Sequence, residues 1–202
     1  MPQVWRESPS ATGEYVLLSN VAQVLTKKSK SRSSSPHEVL AVEGSLMTEL
    51  EALSALQGDD LVRAARAPAA LWETWHRSGD PRLDSLLRQR IEAIERQDLP
   101  TAEAVFTRLI EAAPAFAEGW NKRATVRYLS KDYRGSIADC RETLTRNPNH
   151  FGALSGQGLC HLALGECEPG ADLFRRTLKV HPHLDSAREN LRTALAELVR
   201  WN

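Results

Sequence analysis

The residues best suited to do chemistry in this 202-residue chain are three cysteines and six histidines. A cysteine nucleophile needs a thiolate held beside a general base. Cys140, Cys160 and Cys167 offer one adjacent pairing, Cys160 with His161. That pairing would define a Cys/His enzyme subunit. Cys140 and Cys160 fall among apolar residues, where a thiol behaves as a small hydrophobe, so both read as core filler. Cys160 and Cys167 are seven residues apart, which is not a zinc spacing. His150, His181 and His183 cluster around Pro148 and Pro182, and His37 and His76 lie far upstream. No four-ligand set with metal spacing emerges, and the histidines read as loop residues. Gly152, Gly156 and Gly158 (FGALSGQGLC) have the look of a glycine-rich loop. They lack the Lys-Ser/Thr pair of a phosphate loop, and no strand precedes them. The expectation is a protein with no catalytic residue, no metal and no cofactor.

Charge narrows the partner class. Lys+Arg and Asp+Glu are 26 each, so the formal net charge is zero, whereas a protein that coats nucleic acid carries a basic excess. Two basic stripes, Lys122-Arg123-Arg127 and Arg175-Arg176-Lys179, are interleaved with Glu118 and Asp172 and read as solvated faces. They keep a nucleic-acid-binding accessory role as the alternative. Hydrophobic content is 42%, enough for a core, and three cysteines do not frame a disulfide scaffold. No apolar run reaches the ~18 residues of a membrane span. The start has no secretory pattern. Residues 1–44 read as mostly disordered, with a basic, Ser-rich linker at Lys27–Pro36. Its Arg and Ser content faintly suggests organelle targeting, Glu7 and Glu14 oppose it, and a cytoplasmic location is expected.

The elements that must position these residues repeat. Pro114, Pro148 and Pro182 recur every 34 residues. With each proline at position 32, three units follow: 83–116, 117–150 and 151–184. Position 20 is then Ala102, Ser136 and Gly170. Position 24 is Phe106, Cys140 and Phe174, and position 28 is Ile110, Leu144 and Leu178. Position 8 is Arg90, Ala124 and Gly158. Each unit reads as two helices. The second unit has helices over 117–129 and 133–146 around the turn Ser130-Lys131-Asp132. The third has one over 151–164, stopped by Gly165, and another with Pro169 in its first turn. Small residues at positions 8 and 20 let the pair approach closely, and those at 24 and 28 fill the gap to the next pair. The proline ends the second helix. A hairpin with one apolar face cannot bury it alone, so the units stack.

Trp120, Ala124, Ser136 and Pro148, then Gly158, Phe174 and Pro182, then Ala102, Phe106 and Pro114 carry a resemblance to the tetratricopeptide repeat family. It covers roughly half the chain, and position 7 (Gln89, Arg123, Gln157) departs from the family's leucine. The resemblance implies an all-α, right-handed solenoid of about three units. It implies a non-catalytic scaffold or adaptor whose concave face, lined by the first helix of each unit, takes a partner peptide or helix. The residues at those positions include Arg88 and Ile91 in the first unit. The second supplies Asn121, Lys122, Thr125 and Tyr128, and the third Gly152, Ser155, Gly156 and Leu159. One family branch grips acidic chaperone tails with Lys, Asn, Asn, Lys and Arg. Those slots here hold Leu87, Ile91, Lys122, Gly152 and Gly156, none matching, so a clamp of that type is not expected. Glycines inside a helix cost roughly 1 kcal/mol each against alanine. Gly152 and Gly156 therefore mark a recess for a partner's side chain or for a crowding neighbour helix.

Two flanks complete the expectation. Residues 45–82 read as capping helices against the first repeat, with one helix within 45–57 stopped by Gly58. A second starts near Asp59-Asp60, is interrupted by Pro68, and gives way to a short helix bearing Leu71, Trp72 and Trp75. Residues 185–202 read as a closing helix, with Leu191, Leu195 and Leu198 on its inner face. Partner identity and oligomeric state are not written in these patterns; a homodimer is compatible with them.

Overall fold

The computed structural model describes residues 47–85 and 98–201. Every regular element among them is an α-helix. They are α1 (Glu49–Gln57), α2 (Leu61–Trp75), α3 (Leu99–Ala112), α4 (Ala117–Leu129), α5 (Tyr133–Arg146), α6 (Phe151–Ala163), α7 (Cys167–Val180) and α8 (Asp185–Trp201). The first helix of the 83–116 unit, with Arg88 and Ile91, lies outside the described residues beyond 81–85.

The 34-residue period is visible in the backbone. Helices α3, α5 and α7 each stop just before the repeat proline. The residues before it, Ala113, Asn147 and His181, all have φ between −141° and −128° and positive ψ. A proline ring forbids helical geometry to its predecessor. Inside each unit, small residues sit where the pair crosses. Ser136 is buried and its hydroxyl donates to the Ala124 carbonyl at 2.8 Å. A Cβ on Gly158 would lie 2.8 Å from Phe174 Cε1, and one on Gly170 would lie 3.2 Å from the Gly158 carbonyl oxygen. Phe106, Cys140 and Phe174 at position 24 are buried, as the pattern required. Position 28 is less uniform: Ile110 is buried, but Leu144 and Leu178 are only half-buried. The neighbouring position carries Leu109, Thr143 and Thr177 into the core instead. The two threonine hydroxyls donate to the carbonyls of Asp139 and Leu173 one turn earlier, which lets them be buried without cost in hydrogen bonds.

Three local expectations change. Pro68 does not break α2; the helix runs through it from Asp60, whose carboxylate accepts from Val62 and Arg63 N–H. Ala64, Ala67, Leu71, Trp72 and Trp75 are buried along one face, and that packing outweighs the lost backbone bond. On α8, Ala187, Asn190 and Ala194 are buried, and Leu195 is exposed. The small side chains allow a close approach that the leucine row does not. The third change sets the site. Helices α1 and α2, expected against the first repeat, pack among the described residues on the second and third units. Their cluster of Ala52, Leu56, Ala67, Leu71, Trp72 and Trp75 includes Phe151, with Val180 and Leu184 packed against it.

Candidate partner-binding groove

The groove wall is built by the first helix of each unit, and α4 and α6 are the two described. Each is positioned by its own start. On α6, His150 caps the helix: its Nδ1 accepts from the Ala153 N–H at 3.1 Å. That fixes the tautomer, because an accepting Nδ1 leaves the proton on Nε2. Nε2 then donates to Glu118 Oε2 at 3.0 Å. Glu118, in the first turn of α4, is fully buried. Its other oxygen meets the Lys122 ammonium at 3.0 Å and His76 Nε2 at 3.2 Å. Asn121 Nδ2 donates to both oxygens, at 3.3 and 3.2 Å. Burial by itself would push the Glu118 carboxyl up. The Lys122 charge, the hydrogen bond from His150 and the His76 ring, whose Nε2 approaches without hydrogen-bond geometry, outweigh it and hold the group well below the usual carboxylate range.

Over this polar floor lies an aromatic lid from the same chain. Trp75 stacks on the His150 ring, centroids 4.3 Å apart at 23°. Trp72 meets His150 and Phe151 edge-on at 5.3 and 5.4 Å. The Lys122 ammonium lies 5.6 Å from the Trp72 ring centre. The recess at Gly152 holds Trp72: a Cβ there would be 2.7 Å from its Cη2. The Trp75 indole N–H donates to Glu49 Oε1 at 2.8 Å, which ties α2 back to α1.

The expected groove residues are therefore placed as follows. Asn121, Lys122, Thr125, Gly152, Ser155, Gly156 and Leu159 are buried. Tyr128 is half-buried against Tyr133, rings 5.5 Å apart. Thr125 spends its hydroxyl on the Asn121 carbonyl, and Leu159 packs with Phe174, Tyr128, Leu162 and Leu191. Asn121 and Lys122 were expected to face a partner; they face Glu118 instead. The open wall expected from the sequence is covered by α2 at Gly152, Lys122 and Glu118. Sequence reading placed Trp72 and Trp75 on a helix against the first repeat, and passed over His76 and His150 as groove components. The available signal was complementarity: two adjacent bulky rings upstream, and a helix stripped of side chains at Gly152 and Gly156 downstream.

Burial pushes the Cys160 thiol up to about 11, and Cys140 and Cys167 are also raised, chiefly by burial. Cys160 donates to the Ser136 hydroxyl oxygen at 3.2 Å, and His161 Nδ1 pairs with Glu166 Oε2 at 2.5 Å instead of with a sulfur. Among the described residues no three His, Cys, Asp or Glu side chains converge as metal ligands, and no helix is long and apolar enough to cross a membrane.

No protein-family model matches the chain. A TPR repeat-containing protein of Rhizobium etli is 32% identical over 128 residues, covering 63% of this chain; the chain spans 62% of that relative's length. The first TPR of Spaghetti (RPAP3), solved with the HSP90 peptide SRMEEVD, superposes with a TM-score of 0.56 at 20% identity, over 58% of this chain and 93% of that one. The MamA protein superposes over 93% of this chain and 84% of its own, with a TM-score of 0.55 at 12% identity. The 34-residue period, the paired helices closed by a proline, and this likeness come together: the chain resembles tetratricopeptide repeat proteins in sequence and shares their fold.

Proposed function

We propose that the protein is a non-catalytic interaction module, a scaffold or adaptor that binds a segment of another protein along the wall formed by α4 and α6. One observation carries this reading: that wall already holds a helix, α2, through two indole rings seated on Gly152 and His150. A surface that accepts one helix by side-chain packing has the shape and chemistry to accept another. The RPAP3 neighbour, solved with a bound HSP90 peptide, supports the reading of an interaction module.

The binding mode is not that of an acidic-tail clamp. Lys122 is committed to Glu118, Gly152 lies under Trp72, and Gly156 is buried, so three of the five clamp slots hold no free cation or amide. A free acidic C-terminal pentapeptide is expected to show no micromolar affinity by calorimetry.

The test is a selection of displayed helical peptides on the full-length chain, followed by photo-cross-linking from the selected peptides. Labels on α4 and α6 are the expected result. Labels confined to the outer helices α5 and α7, or no selected peptide at all, would overturn the reading.

A further inference from the structure

The hairpin α1–α2 touches the solenoid almost wholly through side chains. Among the described residues no backbone–backbone hydrogen bond joins the two. The polar links are long: Gln57 Nε2 to the Lys179 carbonyl and Asn147 Nδ2 to Glu49, both 3.4 Å. What seats α2 is a short pattern on one face, Trp72, Trp75 and His76. The first fills the gap over Gly152, the second stacks on His150, and the third reaches Glu118. The hairpin's outer side carries Leu50, Leu61 and Val62, all strongly exposed.

We infer that this hairpin stands in for the partner. The groove takes an amphipathic helix of another protein bearing two aromatic side chains three residues apart, followed at once by an imidazole or cationic donor group placed close to the Glu118 carboxylate. The inference rests on the groove reading above and specifies its ligand. Positions i, i+3 and i+4 share one helix face, so the pattern can be presented by any helix that carries it. The donor is required by charge. Glu118 is fully buried whereas the His76 side chain is 29% exposed, so His76 is the outermost of the carboxylate's partners. A helix with an acidic or phosphorylated residue there would bring like charge to a desolvated carboxylate and be rejected.

The internal copy also sets the terms of competition. Because the hairpin belongs to the same chain, its docking is intramolecular and competes with any free helix. A free helix sees only the fraction of molecules whose hairpin is undocked, and its apparent affinity drops by that fraction.

The experiment uses a fluorescent peptide of residues 48–77 with the full-length chain, wild type and Trp72→Ala/Trp75→Ala. The peptide is expected to bind the double variant about tenfold more tightly, or better, than wild type. The same peptide carrying both alanine substitutions is expected not to bind. Equal affinity for the two chains, or no binding to the variant, overturns the inference. A second variant guards against misfolding. Gly152→Ala adds a Cβ into the Trp72 ring while it favours the α6 helix itself. Amide exchange over 61–75 is expected to accelerate about tenfold or more while α5 and α7 keep their protection; unchanged exchange overturns the inference. A wild-type chain that sediments as a dimer with exchanged hairpins overturns it in favour of a second copy as occupant. Selected peptides that label α4 and α6 but lack the aromatic pair overturn this inference alone. A chain that binds the 48–77 peptide yet selects no foreign helix overturns the interaction-module reading beneath it.

Discussion

At the scale of single residues, the decisive side chain is Glu118. It is a carboxylate without solvent, held by Lys122, Asn121, His150 and His76. Breaking a buried pair by removing one charge leaves the other uncompensated, which costs roughly 3–5 kcal/mol. Glu118→Gln is therefore expected to lower the unfolding free energy measured by urea denaturation by an amount of that order. For the same reason, alanine at both Asn121 and Lys122 is expected to destabilise the fold, not merely to weaken capture, since both side chains serve the carboxylate and neither faces solvent.

Two titrating residues give separate pH windows. The His181 pKa is lowered to about 4, first by burial and then by the charges of His183 and Arg188, with Asp185 opposing. A base whose folded pKa is depressed binds more protons when unfolded. Its contribution is present above ~6.5 and is lost as pH falls toward 4. Glu118, also depressed, contributes above the unfolded carboxylate value of ~4.3 and loses that contribution at lower pH. Thermal stability is expected to fall between pH 6.5 and 4 in the wild type and to be flatter there in His181→Phe, with a further fall below ~4.3 in both. An unchanged slope in the variant would refute the assignment to His181.

At the scale of elements, the turns inside the repeats are built differently at equivalent positions. Lys131 has φ +63° in the second unit, and Gly165, 34 residues on, has φ +77°. A side chain in that left-handed region costs about 1 kcal/mol, which glycine avoids. Gly165 has open space around it, so Gly165→Ala should lower stability by about 1 kcal/mol through the backbone alone. Helix starts are equally uneven. Asp132 accepts from the Gly135 N–H at 3.0 Å and His150 caps α6, whereas α4 and α7 start without a side-chain cap. Asp132→Ala is expected to cost about 1 kcal/mol in thermal melting. A leucine at Gly158 would enter the Phe174 ring and separate α6 from α7; its failure to destabilise would refute the close crossing.

At the scale of the whole molecule, a repeat array has only nearest-neighbour contacts unless something spans it. Here α1 and α2 do so: they touch Glu118 and Lys122 in the second unit and Phe151, Val180 and Leu184 in the third. The hairpin thus makes the array more cooperative than its repeats would be. A chain with the hairpin undocked is expected to unfold with a smaller urea m-value, because less surface is buried to begin with.

What the sequence by itself determined was everything local and periodic. The proline period set the helix ends because a proline constrains its own predecessor. Small residues at positions 8 and 20 of the second and third units dictated close pairs, and Gly58 bounded α1. A helical register also fixes which positions of the second and third units share a face. What only the tertiary structure decided was who occupies that face. Trp72 and Trp75 lie about eighty residues from the glycine and histidine they cover. Nothing in a local pattern says which of three similar walls a distant hairpin will choose. That choice follows from long-range fit, a ring into a missing side chain and a histidine onto a buried carboxylate, and such fit exists only once the chain is folded.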